Sequence, residues 1–174
     1  KVAPKIAAQF HPTKNRKLLP RDLTAKSGQS VWWKCDKGPD HEWKTTVNSR
    51  TDSRRGDSCP FCPPKIHQLS VTNSLKTWCK KNGPFGSLVI SQWDTKKNRK
   101  IRPDEVIYMA QRIDIHWQCS VAPDHHWVAS PYRRTVDRQS CPFCSSRISS
   151  STNNLAYKFP NLVNWIHPTK NPGL

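Results

Sequence analysis

The chain has 174 residues, of which 34% are hydrophobic, and its 29 Lys and Arg against 12 Asp and Glu give a formal net charge of +17. That length holds one ordinary domain or two to three small ones, and small units this polar bury too little apolar surface to fold without a metal or disulfide staple. No apolar run reaches the roughly 18 residues of a membrane span, and the N-terminus lacks a hydrophobic signal region, so neither a span nor a secretory leader is expected.

In chain order the first patterned stretch is a leader, Gln9-Phe10-His11-Pro12-Thr13-Lys14-Asn15-Arg16-Lys17, followed by Pro20 and Asp22. Phe10 reads as an apolar anchor for the leader, and His11 as a turn or capping residue. Val31, Trp33 and Cys35 then alternate with polar residues, as do His41, Trp43, Thr45 and Val47. Period-two patterns predict two strands of a hairpin, with Pro39 and Asp40 in its turn. One face then carries Trp33, Cys35, His41 and Trp43, with Trp32 on the opposite face.

Arg50, Arg54 and Arg55 make a basic loop ahead of Cys59-Pro60-Phe61-Cys62. Helices are expected after each CxxC, around Asn73–Lys81 and around Asn153–Tyr157, with Asn or Ser as N-cap. Pro63-Pro64 pushes the first of these further along the chain. The connector 63–92 contains Trp78, Cys79, Phe85 and Leu88, so some packing is expected there.

The whole series then returns. Gln92-Trp93-Asp94-Thr95-Lys96-Lys97-Asn98-Arg99-Lys100 repeats the leader, and Pro103 and Glu105 answer Pro20 and Asp22. Ile115, Trp117 and Cys119, then His125, Trp127, Ala129 and Pro131, repeat the hairpin, and Cys141-Pro142-Phe143-Cys144 repeats the knuckle. Thr72-Asn73-Ser74-Leu75 returns as Thr152-Asn153-Asn154-Leu155, and Trp165-Ile166-His167-Pro168-Thr169-Lys170-Asn171 opens a third leader. A fixed period sets the architecture. It predicts a module over 1–75, a second over 76–155 and the start of a truncated third repeat over 156–174, as in a piece of a longer array.

Cys35, His41, Cys59 and Cys62 form one proposed ligand set, and Cys119, His125, Cys141 and Cys144 the other. Three thiolates and one imidazole make the closed tetrahedral site typical of structural zinc, so two Zn²⁺ are predicted, one per complete module. The CxxC spacing brings two thiolates to one ion from a tight turn, which the Pro after the first Cys presets. His126 adjoins His125, but Glu42 stands at its place in the first copy, so His125 is preferred. Seven cysteines leave Cys79 outside both sets, either as a small buried residue or as a bystander. An odd count with paired CxxC motifs favours metal thiolates in a reducing intracellular compartment, nucleus or organelle, over disulfides.

These motifs resemble a family of zinc-ribbon, treble-clef-like zinc fingers whose repeats run Trp-His-Pro-Thr-Lys-Asn, Trp-Trp-x-Cys, His-Glu-Trp and Cys-Pro-Tyr-Cys. Copy one carries His11 through Asn15, Trp32-Trp33-Lys34-Cys35, His41-Glu42-Trp43, Asn48-Ser49-Arg50 and Cys59-Pro60-Phe61-Cys62. Copy two departs at Asp94-Thr95 and at His116, while its ligands are untouched. The resemblance implies a small zinc-stabilised α+β fold of tandem treble-clef or zinc-ribbon-like modules, each a β-hairpin plus CxxC knuckle and short helix. It also implies association with nucleic acid, since such repeats occur beside nuclease-like domains.

The basic residues recur with the repeat. Lys14, Arg16 and Lys17 return as Lys97, Arg99 and Lys100, and Arg50 returns as Arg134, with Arg133 and Arg138 answering Arg54 and Arg55. Repeated cations beside a rigid knuckle suit a phosphate backbone. Trp32 either stacks on a base or packs against the neighbouring module. The expected function is therefore non-catalytic, zinc-dependent binding of DNA or RNA, with no membrane partner. The alternative is a structural subunit of a large ribonucleoprotein or transcription assembly, such as an organellar ribosome, in contact with other proteins. No carboxylate cluster suited to a nuclease metal site is visible, and a closed zinc site has no position for substrate, so no enzyme activity is expected.

Overall fold

The structure, a computed structural model, describes residues 4–52, 58–167 and 169–170. It divides into two units: unit 1 is Lys1–Trp78 with Asp104–Ile107, and unit 2 is Cys79–Pro103 with Tyr108–Leu174. Among the described residues no helix is long and apolar enough to cross a membrane.

Unit 1 grows from the predicted hairpin. After a short helix α1 (Pro4–Ala7), strands β1 (Ser30–Lys34) and β2 (Glu42–Thr46) pair antiparallel with Trp33 opposite Trp43. The alternation works as the sequence implies: Val31, Trp33 and Cys35 are buried while Trp32 is only half-buried. The leader lies along β1. Lys34 N–H donates to the Gln9 carbonyl at 2.8 Å and His11 N–H to the Trp32 carbonyl at 3.0 Å. Asn15 completes the edge with its side chain, accepting from Trp32 N–H at 2.8 Å and donating to Trp32 C=O at 2.9 Å. Phe10 meets Trp33 edge-on at 5.8 Å, the anchoring expected of it.

Strand β2 does not run through Val47. Thr46 Oγ1 accepts from Ser49 N–H and caps the short helix α2 (Val47–Thr51). The core of unit 1 is Val31, Trp33, Trp43, Val47 and Phe61 together with Cys35, Cys59 and Cys62, so the cysteines are part of it. No helix follows the first CxxC directly. Residues 63–74 turn, and helix α3 (Leu75–Lys81) starts where Leu75 N–H donates to Val106 C=O at 2.7 Å. The division between the units falls within α3.

Unit 2 repeats the plan behind a helix α4 (Gly83–Ser91). Gly86 sits so close to α3 that a Cβ there would lie 2.0 Å from the Cys79 carbonyl oxygen. Strands β3 (Ile115–Gln118) and β4 (His126–Ala129) pair with Trp117 opposite Trp127, and α5 (Pro131–Thr135) follows, capped by Ser130 with Pro131 in the first turn. Pro131 therefore opens a helix and does not extend the strand. Trp93 meets Trp117 edge-on at 5.7 Å, and Asn98 clamps the His116 backbone through both its amide atoms, at 2.7 and 3.0 Å. The chain after Cys144 turns until α6 (Leu155–Lys158), then forms α7 (Pro160–Val163) and the third leader, whose Trp165 is 84% exposed.

Candidate metal centres

Each hairpin supplies one cysteine from the end of its first strand and one histidine from the start of its second. The knuckle supplies the other two cysteines. Cys35, His41, Cys59 and Cys62 converge in unit 1, and Cys119, His125, Cys141 and Cys144 in unit 2, with all ligand atoms of a set within 4.8 Å of one another. In unit 1 the Cys35 and Cys62 sulfurs are 3.9 Å apart, and His41 Nδ1 is 3.8 Å from Cys59 Sγ and 3.5 Å from Cys62 Sγ. Unit 2 reproduces these at 3.7, 3.8 and 3.5 Å. A tetrahedral zinc with sulfur at ~2.3 Å and nitrogen at ~2.0 Å sets edges of ~3.8 Å between sulfurs and ~3.5 Å from sulfur to nitrogen. Both sets fit a zinc ion, and four protein ligands leave no vertex for a substrate.

The ligating imidazoles are held from behind. His41 Nε2 is 2.6 Å from Thr72 Oγ1 and 3.0 Å from Ser70 Oγ, and Ser70 Oγ donates to Asp40 at 2.9 Å. In unit 2, His125 Nε2 is 3.3 Å from Thr152 Oγ1, which donates to Asp124 at 2.7 Å. Such outer partners fix the tautomer and aim Nδ1 at the ion. Burial lowers the His41 pKa despite the nearby Asp40, so this ring stays neutral. Phe61 and Phe143 of the knuckles stack on His41 and His125 at 5.1 and 5.0 Å. Asn73 and Asn153 tie each knuckle in place by donating to the Phe61 and Phe143 carbonyls.

Asp40, Ser70 and Thr72, with Asp124 and Thr152, are functional residues that sequence reasoning missed. Their signal was visible in the repeat, where Ser-x-Thr-Asn occurs at 70–73 and again at 150–153. His11 and His167 are caps and lie outside both ligand sets, as expected. His11 Nδ1 accepts from the N–H groups of Thr13 and Lys14, and His167 Nδ1 from those of Thr169 and Lys170. Cys79 is buried, and burial pushes its thiol up to about 11.

The basic residues separate into distinct environments. Arg16, Lys17, Lys97, Arg99, Lys100, Arg133 and Arg138 are exposed. Arg50 and Arg134 are not: they are 3% and 1% exposed, which corrects their assignment as phosphate contacts. Arg50 lies 5.3 and 5.1 Å from the rings of Trp33 and Trp43, and Arg134 lies 5.2 and 5.3 Å from those of Trp117 and Trp127. Arg50 also donates to Gln9 and to the Ser58 carbonyl, and Arg134 to Gln92 and the Gln139 carbonyl. These arginines are internal struts joining leader, hairpin and knuckle.

Lys14 is exposed but engaged, bonded to Glu42 and lying 4.6 Å above the Trp32 ring, so one face of that indole is covered. Lys14 first, then His11, hold the Glu42 carboxyl down at about 2. Arg54 and Arg55 lie outside the described residues. A cavity of about 820 Å³, bordered by Ile6, Phe10, Leu23 and Val47 of unit 1, includes none of the ligands.

A family model described as a probable treble clef zinc finger domain matches residues 6–65 and 89–147. Those two spans hold both ligand sets. No curated protein matches the chain significantly.

Proposed function

Since the chain belongs to this treble clef zinc finger family, with one match on each metal set, we propose that it is a non-catalytic nucleic-acid-binding protein. Zinc supports its fold, and exposed cations on the leader turns contact phosphates. The observation that carries this reading is the recurrence of exposed Arg16 and Lys17 as exposed Arg99 and Lys100, at equivalent places in two units of a chain with net charge +17. Asn15 and Asn98, each next to one of these arginines, are bonded through their side chains to the hairpin backbone, so the cations stand on an anchored turn. Anchored cations lose less conformational entropy on meeting a polyanion. Arg133 and Arg138 add exposed charge on the knuckle side of unit 2. Contacts of this kind position a protein on a backbone and carry little base preference.

The test is binding of the zinc-loaded chain to labelled duplex DNA, duplex RNA and single strands across a salt series. Tight binding with a steep salt slope to one class names the target. Reversing charge at Arg16, Lys17, Arg99 and Lys100 is then expected to flatten the duplex slope by about 0.9 for each phosphate that is no longer neutralised. Unchanged binding by that variant removes the leader turns from the interface. Weak, indiscriminate binding by the parent chain favours a subunit of a larger assembly.

A further inference from the structure

Each leader meets its hairpin through an acid and a histidine, and the two units carry that pair in opposite orientation. In unit 1 the histidine is on the leader. Its Nδ1 closes the turn by accepting from Thr13 and Lys14 at 3.2 and 3.1 Å, and its Nε2 lies 3.1 Å from Glu42 Oε1 on the hairpin. In unit 2 the acid is on the leader. Asp94 Oδ1 closes the same turn by accepting from Lys96 and Lys97 at 3.1 and 2.9 Å, and Oδ2 lies 3.4 Å from His126 Nδ1. Aspartate and histidine thus serve equally to close the turn. What differs is the group presented to the hairpin.

A neighbouring position changes in step. Lys34 stands 3.3 Å from Glu42 in unit 1, whereas its counterpart beside His126 is the uncharged Gln118. A cation belongs next to the hairpin acid of unit 1, and the hairpin of unit 2 has no acid at that place. Lys14 also bonds Glu42 and covers Trp32 in unit 1, but a lysine stands at that place in every leader, as Lys97 and Lys170, so it does not tell them apart. The other docking interactions are shared by the two units: an aromatic edge-on to a tryptophan, an asparagine clamp and the main-chain bonds. Shared interactions cannot discriminate between leaders.

We propose that the pair at the positions of His11 and Glu42 is a polarity key that decides which leader docks on which hairpin. A histidine leader fits a hairpin with an acid immediately after the metal-ligating histidine. An aspartate leader fits a hairpin with a second histidine there. An aspartate leader on the Glu42 hairpin sets carboxylate against carboxylate, and a histidine leader on the His126 hairpin loses the carboxylate that its partner provides, so the wrong leader is disfavoured on either hairpin. The third leader carries the same key. His167 Nδ1 has closed its turn on Thr169 and Lys170, and Trp165, the counterpart of Phe10 and Trp93, is exposed. Its occupant is therefore a zinc hairpin of this type bearing an acid at the position of Glu42.

The test uses the full zinc-loaded chain. His11→Asp keeps the turn closed but faces Glu42 with a carboxylate, and His11→Asp with Glu42→His recreates the arrangement of unit 2. Amide exchange at Lys34, which bonds across the junction, is expected to quicken about tenfold or more in the single variant and to return close to the parent in the double. Asp94→His, alone and with His126→Glu, is expected to do the same at Gln118. Failure of both double variants to recover overturns the key.

A second arm leaves both hairpins intact. A labelled peptide of residues 160–170 is titrated into the His11→Asp chain and the Asp94→His chain. It is expected to prefer the first, where the Glu42 hairpin has lost its matching leader, by about tenfold, and the His167→Asp peptide to reverse that preference. Equal affinity for both chains, or binding to neither, overturns the assignment of the third leader.

Discussion

Of the eight ligands, Cys144 is the one that solvent reaches; the other seven are buried. A chelator or alkylating agent needs access to a ligand before it can displace the ion, so the two sites are expected to fail in order. Zinc release to a chromogenic chelator should be biphasic, with Cys144 the first cysteine alkylated by mass spectrometry. Simultaneous loss from both sites would show that exposure of this sulfur does not control release. Arg134 makes a second prediction at this scale. It is buried between two tryptophans, and burial lowers its pKa to about 10, so it remains charged at neutral pH. Arg134→Met leaves the Gln92 and Gln139 acceptors without their donor and is expected to destabilise unit 2 by about 1–3 kcal/mol, read by denaturant melts of the zinc-loaded chain. Arg134→Lys should not restore it, because a point charge cannot serve two acceptors and two rings at once. The repeat of Arg50 as Arg134 was plain in the sequence, but its role was not. What buries each guanidinium is a tryptophan on either strand and a leader glutamine about 40 residues away, and no local pattern records that meeting. The ligands were legible for the opposite reason, since CxxC and Cys-x₅-His are local spacings on strands whose alternation is itself local.

Elements show the same division. Both hairpins follow from period-two burial, and their ends show the limit of that signal. Val47 and Pro131 keep the alternation going but belong to α2 and α5, because Thr46 and Ser130 turn the chain into a helix with a side-chain cap. Read by capping chemistry, Ser130-Pro131 is a helix start, with Pro at a position where no N–H is needed. The helix expected after the second knuckle is replaced by turns, and after the first, where Pro63-Pro64 is expected to delay it, the chain turns until α3; Asn73 and Asn153 bond to carbonyls of the knuckles and hold the chain there. The close approach of α4 to α3 left no sequence signal beyond a glycine. There Gly86→Ala would drive a methyl into the Cys79 carbonyl, a backbone atom that cannot swing aside. A loss of at least about 1–3 kcal/mol is expected from the overpacking, measured as a lower melting temperature for the zinc-loaded chain. An unshifted melt would mean that α4 moves away from α3 at little cost.

For the molecule as a whole, metal and fold cannot be separated, because the ligands are the core. Cys35, Cys59 and Cys62 share one buried cluster with Val31, Trp33, Trp43, Val47 and Phe61. Binding free energy at such sites, with apparent values of ~10–16 kcal/mol in zinc-finger peptides, is therefore folding free energy. Complete zinc removal is expected to abolish the hairpin and tryptophan signals in circular dichroism, and a near-native spectrum would refute this. The proton balance gives a sharper test. Without metal, burial first and then the neighbouring thiols push Cys59 up to about 12, so the metal-free fold favours the neutral thiol. Since that pKa lies above the unfolded thiol value, any stability it lends the metal-free fold is present below about pH 9 and is lost as pH rises towards 12. The loaded fold must run the other way, because a thiol gives up its proton to become a ligand. His41, held neutral, gives up none. Each zinc entering unit 1 is thus expected to release about three protons near pH 7, and affinity should fall steeply as pH drops. Calorimetry in buffers of different ionisation enthalpy reads that number directly. A count near four would mean that His41 begins protonated, and a count near two that one thiolate already exists before the metal arrives.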